Sequence, residues 1–248
     1  AAKVGGINAN VKQPVEFLLN NLKIQNNIID ASQTNGVKKI VFLGSSCIYP
    51  KETTQPISEK QLMQGPLEPT NEGYALAKIC GIKLLEYYYR QYGLKSISLM
   101  PCNLYGTNDH FDLEKAHVLS SLVRRFTDAV TQKKDEVVLW GTGVAKREFL
   151  HVEDCARAVL FFMEYDTDFE IINVGTGKDI SIKELAQKIA DKTGFNGIIN
   201  WDSTKPDGML RKCLDISYAN SLGFSPQVSL DEGISRTISE YKELTNQK

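Results

Sequence analysis

The chain has 248 residues, 42% of them hydrophobic and 24% charged, which is enough apolar material for one large domain or a domain with a smaller lobe. Its 29 basic and 30 acidic side chains nearly cancel, so no basic face announces a nucleic-acid partner, and no apolar run approaches the roughly 18 residues of a membrane span. Five cysteines without paired metal spacing read as reduced thiols of a cytosolic protein rather than a disulfide framework.

Apolar positions recur at helical spacing over residues 15–31, and Asn35-Gly36 supplies a stop. KKIVFLGSS (38–46) is a short β-branched run, expected as a buried strand. A loop with Pro50, Pro56, Pro66 and Pro69 follows, then a long helix over about 71–92 that ends at YGLK. SISLMPCNLYG (96–106) reads as the next strand, 117–131 as a helix, EVVLWG (136–141) as a strand and about 153–165 as a helix. FEIINVGTG is a strand closed by a turn, SIKELAQKIADKTG an amphipathic helix, GIINW a strand, and SLDEGISRTISEYKEL the last helix. This alternation predicts an α/β fold with a doubly wound, Rossmann-like parallel sheet and helices on both faces.

In such sheets ligands sit at the carboxyl ends of the strands. Ser45, Ser46 and Cys47 end one strand, Pro101, Cys102, Asn103 and Leu104 end the next, and Tyr74 opens the helix between them. Tyr74 and Lys78 are four residues apart and share a helix face. An ammonium beside a phenol is expected to lower its pKa from about 10. A serine can then hold a carbonyl oxygen while the tyrosine passes it a proton, the partner step to a hydride transfer.

These residues carry a resemblance. GSSCIYP, then YALAK with Tyr74 twenty-nine residues after Ser45, then PCNLYG, REFLHVEDCARAV and NVGTG resemble the extended short-chain dehydrogenase/reductase family. SSCIYPKETTQPISEK, AHVLSSLVRRF, LWGTGVAKREFLHVEDCA and KPDGMLRKCLD narrow the resemblance. They are similar to the members that convert GDP-4-keto-6-deoxy-D-mannose to GDP-L-fucose with NADPH, by 3,5-epimerisation and 4-reduction. The resemblance spans nearly the whole chain.

It implies NADP(H) as cofactor and a GDP-sugar as substrate. Ser45 would be the catalytic serine, Tyr74 the proton donor and Lys78 the ribose ligand, with Cys47 and His117 as the epimerisation pair. Leu43, Gly44, Ser45, Ser46, Tyr74, Lys78, Pro101, Cys102, Asn103, Leu104 and His117 would contact the cofactor. Arg125, Trp140, Arg147, Asp207 and Lys212 would hold the GDP-sugar. His110, in NDHF, departs from the family's usual loop. The resemblance also implies residues 1–115 in the cofactor domain and 116–248 mainly in a substrate lobe, with segments around 136–175 returning to the first. It implies a homodimer through helices near 10–34 and 71–92.

Other readings stand beside this one. A nucleotide-sugar 4-epimerase or 4,6-dehydratase shares Ser45, Tyr74 and Lys78 but has no need of both Cys47 and His117. A non-catalytic sugar-nucleotide-binding fragment is the third. The chain opens on AAKVGG, without Met, and no G-x-x-G-x-x-G follows a first strand. The expectation is therefore a sheet without its N-terminal strands, and weak cofactor binding by this stretch alone. Cys80, Cys102, Cys155 and Cys213 are expected in or near the core, and His151 as a structural residue at a helix entry.

Overall fold

The computed structural model describes residues 2–113, 116–205 and 207–246. Three parallel strands form the first core: β1 (Lys39–Leu43), β2 (Lys95–Pro101) and β6 (Phe169–Val174), in the order β1-β2-β6. Leu43 pairs with Leu99, and Met100 with Asn173, so the carboxyl ends of the three strands lie side by side. The β2 residues Ile97, Leu99 and Met100 are fully buried, as the continuous apolar run requires.

The crossover from β1 to β2 runs through α3 (Glu72–Tyr92). Its buried residues include Ala75, Ala77, Lys78, Ile79, Ile82 and Leu85, and it ends at Gly93, whose φ of 72° and N–H to Tyr89 O make a left-handed cap. Ahead of β1 lie α1 (Ile7–Lys12) and α2 (Pro14–Thr34), and α2 buries Phe17, Asn21, Gln25 and Ile29 at helical spacing. Gln25 donates to Ala77 O of α3 at 2.6 Å and fixes the helix pair.

The stretch expected as one strand over 96–106 is two. After β2, Cys102 N–H still donates to Val174 O, but β3 (Asn103–Tyr105) leaves that sheet and pairs with β5 (Lys146–His151). The chain changes sheets at Cys102, between the last β6 pairing at Pro101 and the first β5 pairing at Asn103. β5 also carries antiparallel β7 (Asp179–Ser181) and parallel β9 (Arg211–Lys212), so this connecting sheet is mixed.

A second core gathers α4 (Val118–Thr131), β4 (Glu136–Trp140), α6 (Ile182–Thr193), β8 (Ile198–Asp202) and α8 (Leu230–Asn246) around Leu122, Phe126, Leu139, Leu185, Ile189 and Ile234. β4 pairs with β8 in parallel. α6 starts on a capping box in which Ser181 and Glu184 satisfy each other's backbone N–H. Between β5 and β6, α5 (Val152–Glu164) places Cys155, Ala158 and Phe162 in the first core, where α7 (Ser217–Ser221) adds Ala219.

Glu148 on β5 ties the two halves together. It is fully buried, and its carboxylate accepts from Thr176 N (2.5 Å), Gly177 N (2.7 Å) and Leu214 N (2.8 Å). Gly175 has no side chain because a Cβ there would collide with that carboxylate. NVGTG is thus a turn wrapped on a buried anion of the protein itself. Among the described residues no helix is long and apolar enough to cross a membrane, and no cluster of three or more His, Cys, Asp or Glu is set to hold a metal ion.

Candidate active site

β1 ends at Leu43, and the chain turns through Gly44 and Ser45 into a short 3-10 helix, Ser46–Ile48. Ser45 caps that turn, its hydroxyl accepting from Cys47 N–H at 3.2 Å. Asn71 stands at the head of α3, but its side chain does not cap the helix; its amide is near enough to the Cys47 sulfur to help lower the thiol. One turn on, Tyr74 and Lys78 face the end of β1. Lys78 Nζ donates to Leu43 O at 2.7 Å, lies 4.9 Å from the centre of the Phe42 ring and 5.8 Å from that of Tyr74. The topology therefore brings Ser45, Cys47, Tyr74 and Lys78 together, with Asn71 as a member that sequence reasoning missed. Its place just before the tyrosine, at a helix cap it leaves unused, was the available signal.

Electrostatics divide these groups. Burial lowers the Lys78 ammonium to about 8. Burial, and then the negative charge at Cys47, push the Tyr74 phenol up, against a hydrogen bond from Ser45. The expected lowering of Tyr74 by Lys78 is absent, because Lys78, brought down to about 8 by burial, has lost its charge before the phenol ionises. Tyr74 is held as a protonated phenol, the form a proton donor needs. Burial also opposes ionisation of Cys47, but the Lys212 ammonium and hydrogen bonds from Ser45, Lys212 and Asn71 outweigh it, and the thiol lies below its ordinary value.

The remaining expected residues fall in several places. Pro101 and Cys102 are buried at the end of β2, and Asn103 and Leu104 begin β3, with Asn103 Nδ2 donating to Glu148 O at 2.7 Å. His117 is exposed at the entry to α4, and the described contacts do not join its imidazole to Cys47; residues 114 and 115 just before it lie outside the described residues. His110 is exposed in its loop. His151 caps α5, accepting from Glu153 N–H at 3.3 Å, and is a structural residue. Cys102, Cys155 and Cys213 are buried, but Cys80 is exposed on α3, a correction to its expected core position.

Arg125 is half-buried on α4 beside an open cavity of about 770 Å³, with Asp128, Gln132 and Val137 in its wall. Trp140 is 60% exposed, and Lys205 Nζ lies 5.7 Å from its ring centre. Arg147 donates to Met209 O at 2.5 Å, and Asp207 accepts from Thr142 N–H and Thr142 Oγ at 2.7 Å each. Arg147 thus fastens Met209 to β5, and Asp207 is fastened to Thr142, just after β4. Lys212, placed with the GDP-sugar ligands by resemblance, reaches the sulfur of Cys47 at 3.5 Å.

A parallel sheet with a Ser/Tyr/Lys set at its strand ends defines a short-chain dehydrogenase/reductase type of fold and site. Residues 1–175 match the NAD dependent epimerase/dehydratase family, and the chain belongs to that family. It is 51% identical over 241 residues to GDP-L-fucose synthase 1 of Arabidopsis thaliana, covering 97% of this chain and 75% of that protein. It is 48% identical over 252 residues to GDP-L-fucose synthase of Escherichia coli, covering 98% and 78%. The crystal structure of a GDP-L-fucose synthetase from Naegleria fowleri bound to NADP aligns with a TM-score of 0.89 at 31% identity, over 99% of this chain and 76% of that one.

Proposed function

We infer that the protein converts GDP-4-keto-6-deoxy-D-mannose to GDP-L-fucose by NADPH-dependent 3,5-epimerisation and 4-reduction. The observation that carries this reading is the thiol of Cys47 in one cluster with Ser45, Tyr74 and Lys78. A simple 4-epimerase or 4,6-dehydratase needs the last three and not the thiol.

The cofactor fits what the chain offers. Lys78 Nζ has three donors and gives one to Leu43 O, which leaves two to aim at a ribose. The backbone of 43–46 and 101–104 lies at neighbouring strand ends, where nucleotides bind in such sheets. When bound, the reduced nicotinamide supplies the hydride. Ser45 and Tyr74 hold the C4 oxygen of the substrate, and Tyr74 gives it a proton on reduction. A ketone at C4 acidifies the hydrogens at C3 and C5, and the same two hydroxyls stabilise the enolate oxygen. Cys47 is assigned as the base for those carbons, with His117 as its acid partner. Arg125, Trp140, Arg147 and Asp207 are assigned to the GDP moiety.

The assembly proposed is a homodimer through α2 and α3, in a cytoplasmic protein. Val15, Leu19 and Ile28 of α2 and Tyr87 of α3 are exposed apolar side chains that a second copy would cover. Ile28→Glu with Tyr87→Glu is expected to halve the mass seen by light scattering.

The reaction is tested in heavy water with NADPH and the ketosugar. Deuterium is expected at C3 and C5 of the product, with one NADPH oxidised per product formed. NADPH oxidation without deuterium at either carbon would leave a plain reductase and overturn the reading.

A further inference from the structure

Lys212 sits on a strand of two residues that is fixed from several sides. Arg147 and Lys212 are in register between β5 and β9. Next to it, Cys213 N–H donates to Gln55 Oε1 at 3.0 Å, and Ile57 N–H donates to Cys213 O at 2.8 Å. Leu214 N–H donates to the buried Glu148 carboxylate. Backbone held this firmly aims its side chain, and here the ammonium is aimed at a sulfur, with Lys212 Nζ 3.5 Å from Cys47 Sγ. Among the described residues Lys212 makes no ion pair with a carboxylate.

We propose that Lys212 is the counter-ion of Cys47, a positioning residue that holds the sulfur as a thiolate so that it is already a base when a carbon acid arrives. The assignment rests on the reading of Cys47 as the epimerisation base, and it moves Lys212 from the phosphates of the substrate to the chemistry of the sugar ring.

The rest of the shell agrees. The charged and titratable groups that face Cys47 are Lys212 from β9 and Tyr74 from α3, while Ser45 and Asn71 are neutral donors. The buried thiols go the other way even where a cation acts on them, Lys212 on Cys102 and Arg211 on Cys213. Burial pushes Cys102, Cys155 and Cys213 up, Cys213 to about 11, whereas Cys47 goes down. Lys212 is adjacent to Cys213 in sequence, yet its ammonium reaches Cys47.

The step balances within these groups. The Cys47 thiolate takes a proton from the carbon beside the ketone, so that a C–H bond breaks and an S–H bond forms. The electron pair of that C–H bond moves to the carbonyl oxygen as an enolate, where Ser45 and Tyr74 donate to it. The enolate electron pair then returns to the carbon and takes a proton from His117, the acid partner assigned above, on the opposite face, which completes the inversion. The sulfur gives its proton to water and His117 regains one from water.

The test reads the sulfur itself. In a Cys80→Ser background, which removes the exposed thiol, the rate of iodoacetamide alkylation at Cys47 is followed against pH by peptide mass spectrometry. The wild-type inflection is expected below the ordinary thiol value of about 8.5. In Lys212→Met it is expected to rise by about one pH unit or more, with alkylation at neutral pH falling about tenfold. Lys212→Arg is expected to keep the wild-type profile, because it keeps the charge. An unchanged inflection in Lys212→Met overturns the proposal, as does a variant that raises only the KM for the GDP-sugar, since that places Lys212 on the phosphates. If Lys212→Met fails to fold, the thiolate absorbance lost from wild type to Cys47→Ser at neutral pH decides, and no loss overturns the proposal. Cys47→Ser also separates this proposal from the reading beneath it. Deuterium exchange at the wild-type rate in that variant removes Cys47 as base while the Lys212 titration still stands or falls by itself.

Discussion

Between β1 and α3 the groups assigned to the reaction, Ser45, Cys47, Tyr74 and Lys78, are half-buried or buried and cluster together. In the second lobe the groups assigned to recognition are more exposed and meet loop backbone instead. Lys78 is 6% exposed and pinned to Leu43 O, whereas Trp140 is 60% exposed with a single cation near its ring. The contrast follows from what each set must do. Moving a proton needs fixed distances and a pKa set by burial, while gripping a soluble nucleotide needs donors that remain reachable. Mutations should therefore act differently in the two regions, through rate in the first and through affinity in the second.

The largest effect is expected at Tyr74. Tyr74→Phe removes the proposed proton donor, whose phenol the site keeps protonated. Ketone reduction should fall about a hundred- to ten-thousandfold, the range for loss of a general acid, with substrate affinity unchanged by equilibrium binding. Near wild-type turnover would strip Tyr74 of the acid role.

Glu148 breaks the comparison, because it belongs to both regions. Its carboxylate serves the turn after β6 and the segment that follows β9. Glu148→Ala removes the acceptor of three N–H groups, that of Leu214 buried and those of Thr176 and Gly177 part-buried, and should cost about 1–3 kcal/mol, read as a lower urea midpoint. A midpoint equal to wild type would show that water replaces the carboxylate at no cost.

Lys78 sharpens the first region by pH. Its ammonium, at about 8 in the free protein, must be charged to serve the cofactor. The kcat/KM for NADPH should drop about tenfold per pH unit above that value. Stability should move the other way. The unfolded chain keeps this proton to about 10.4 and the folded chain only to about 8, so the unfolded state binds more protons in between and stability rises with pH across that window. Lys78→Arg should abolish both trends, and a wild-type descending limb in that variant would assign the limb to another group.

The two regions also differ in how far sequence reasoning reached. Tyr74 and Lys78 were legible because helical spacing fixes a shared face, and Ser45 because a short apolar run ends just before it. Both are local rules. The contact between Lys212 and Cys47 joins residues 165 apart, and β9 is too short to carry a periodicity. The break at Cys102 was hidden because both halves are apolar and extended, and only their pairing partners differ. Glu148 was passed over although a charge within the apolar run of REFLH, if buried, must find donors. Cys80 went wrong for the opposite reason: a cysteine's average burial says nothing about which face of α3 it occupies.

The smallest effect is expected in the second lobe, at Asp207. Resemblance places this carboxylate against the substrate, but its described bonds run to Thr142 N–H and Thr142 Oγ. Those bonds hold it below the ordinary carboxylate range, so it remains an anion throughout neutral pH. Its bonds fasten the segment at 207–209 to Thr142, just after β4, and Arg147 grips Met209 O of the same segment. Trp140 ends β4, two residues before Thr142, and Lys205 Nζ lies over its ring. Asp207→Ala frees the loop without touching Ser45, Tyr74 or Lys78. One or two exposed hydrogen bonds, at about 1 kcal/mol each, amount to a KM for the GDP-sugar raised about five- to thirtyfold at unchanged kcat. Asp207→Asn keeps one acceptor and should fall between. Steady-state kinetics with saturating NADPH separate the outcomes: a loss in kcat at constant KM would mean that Asp207 reaches the reacting ring, and the division of labour between the two regions would fail at this residue.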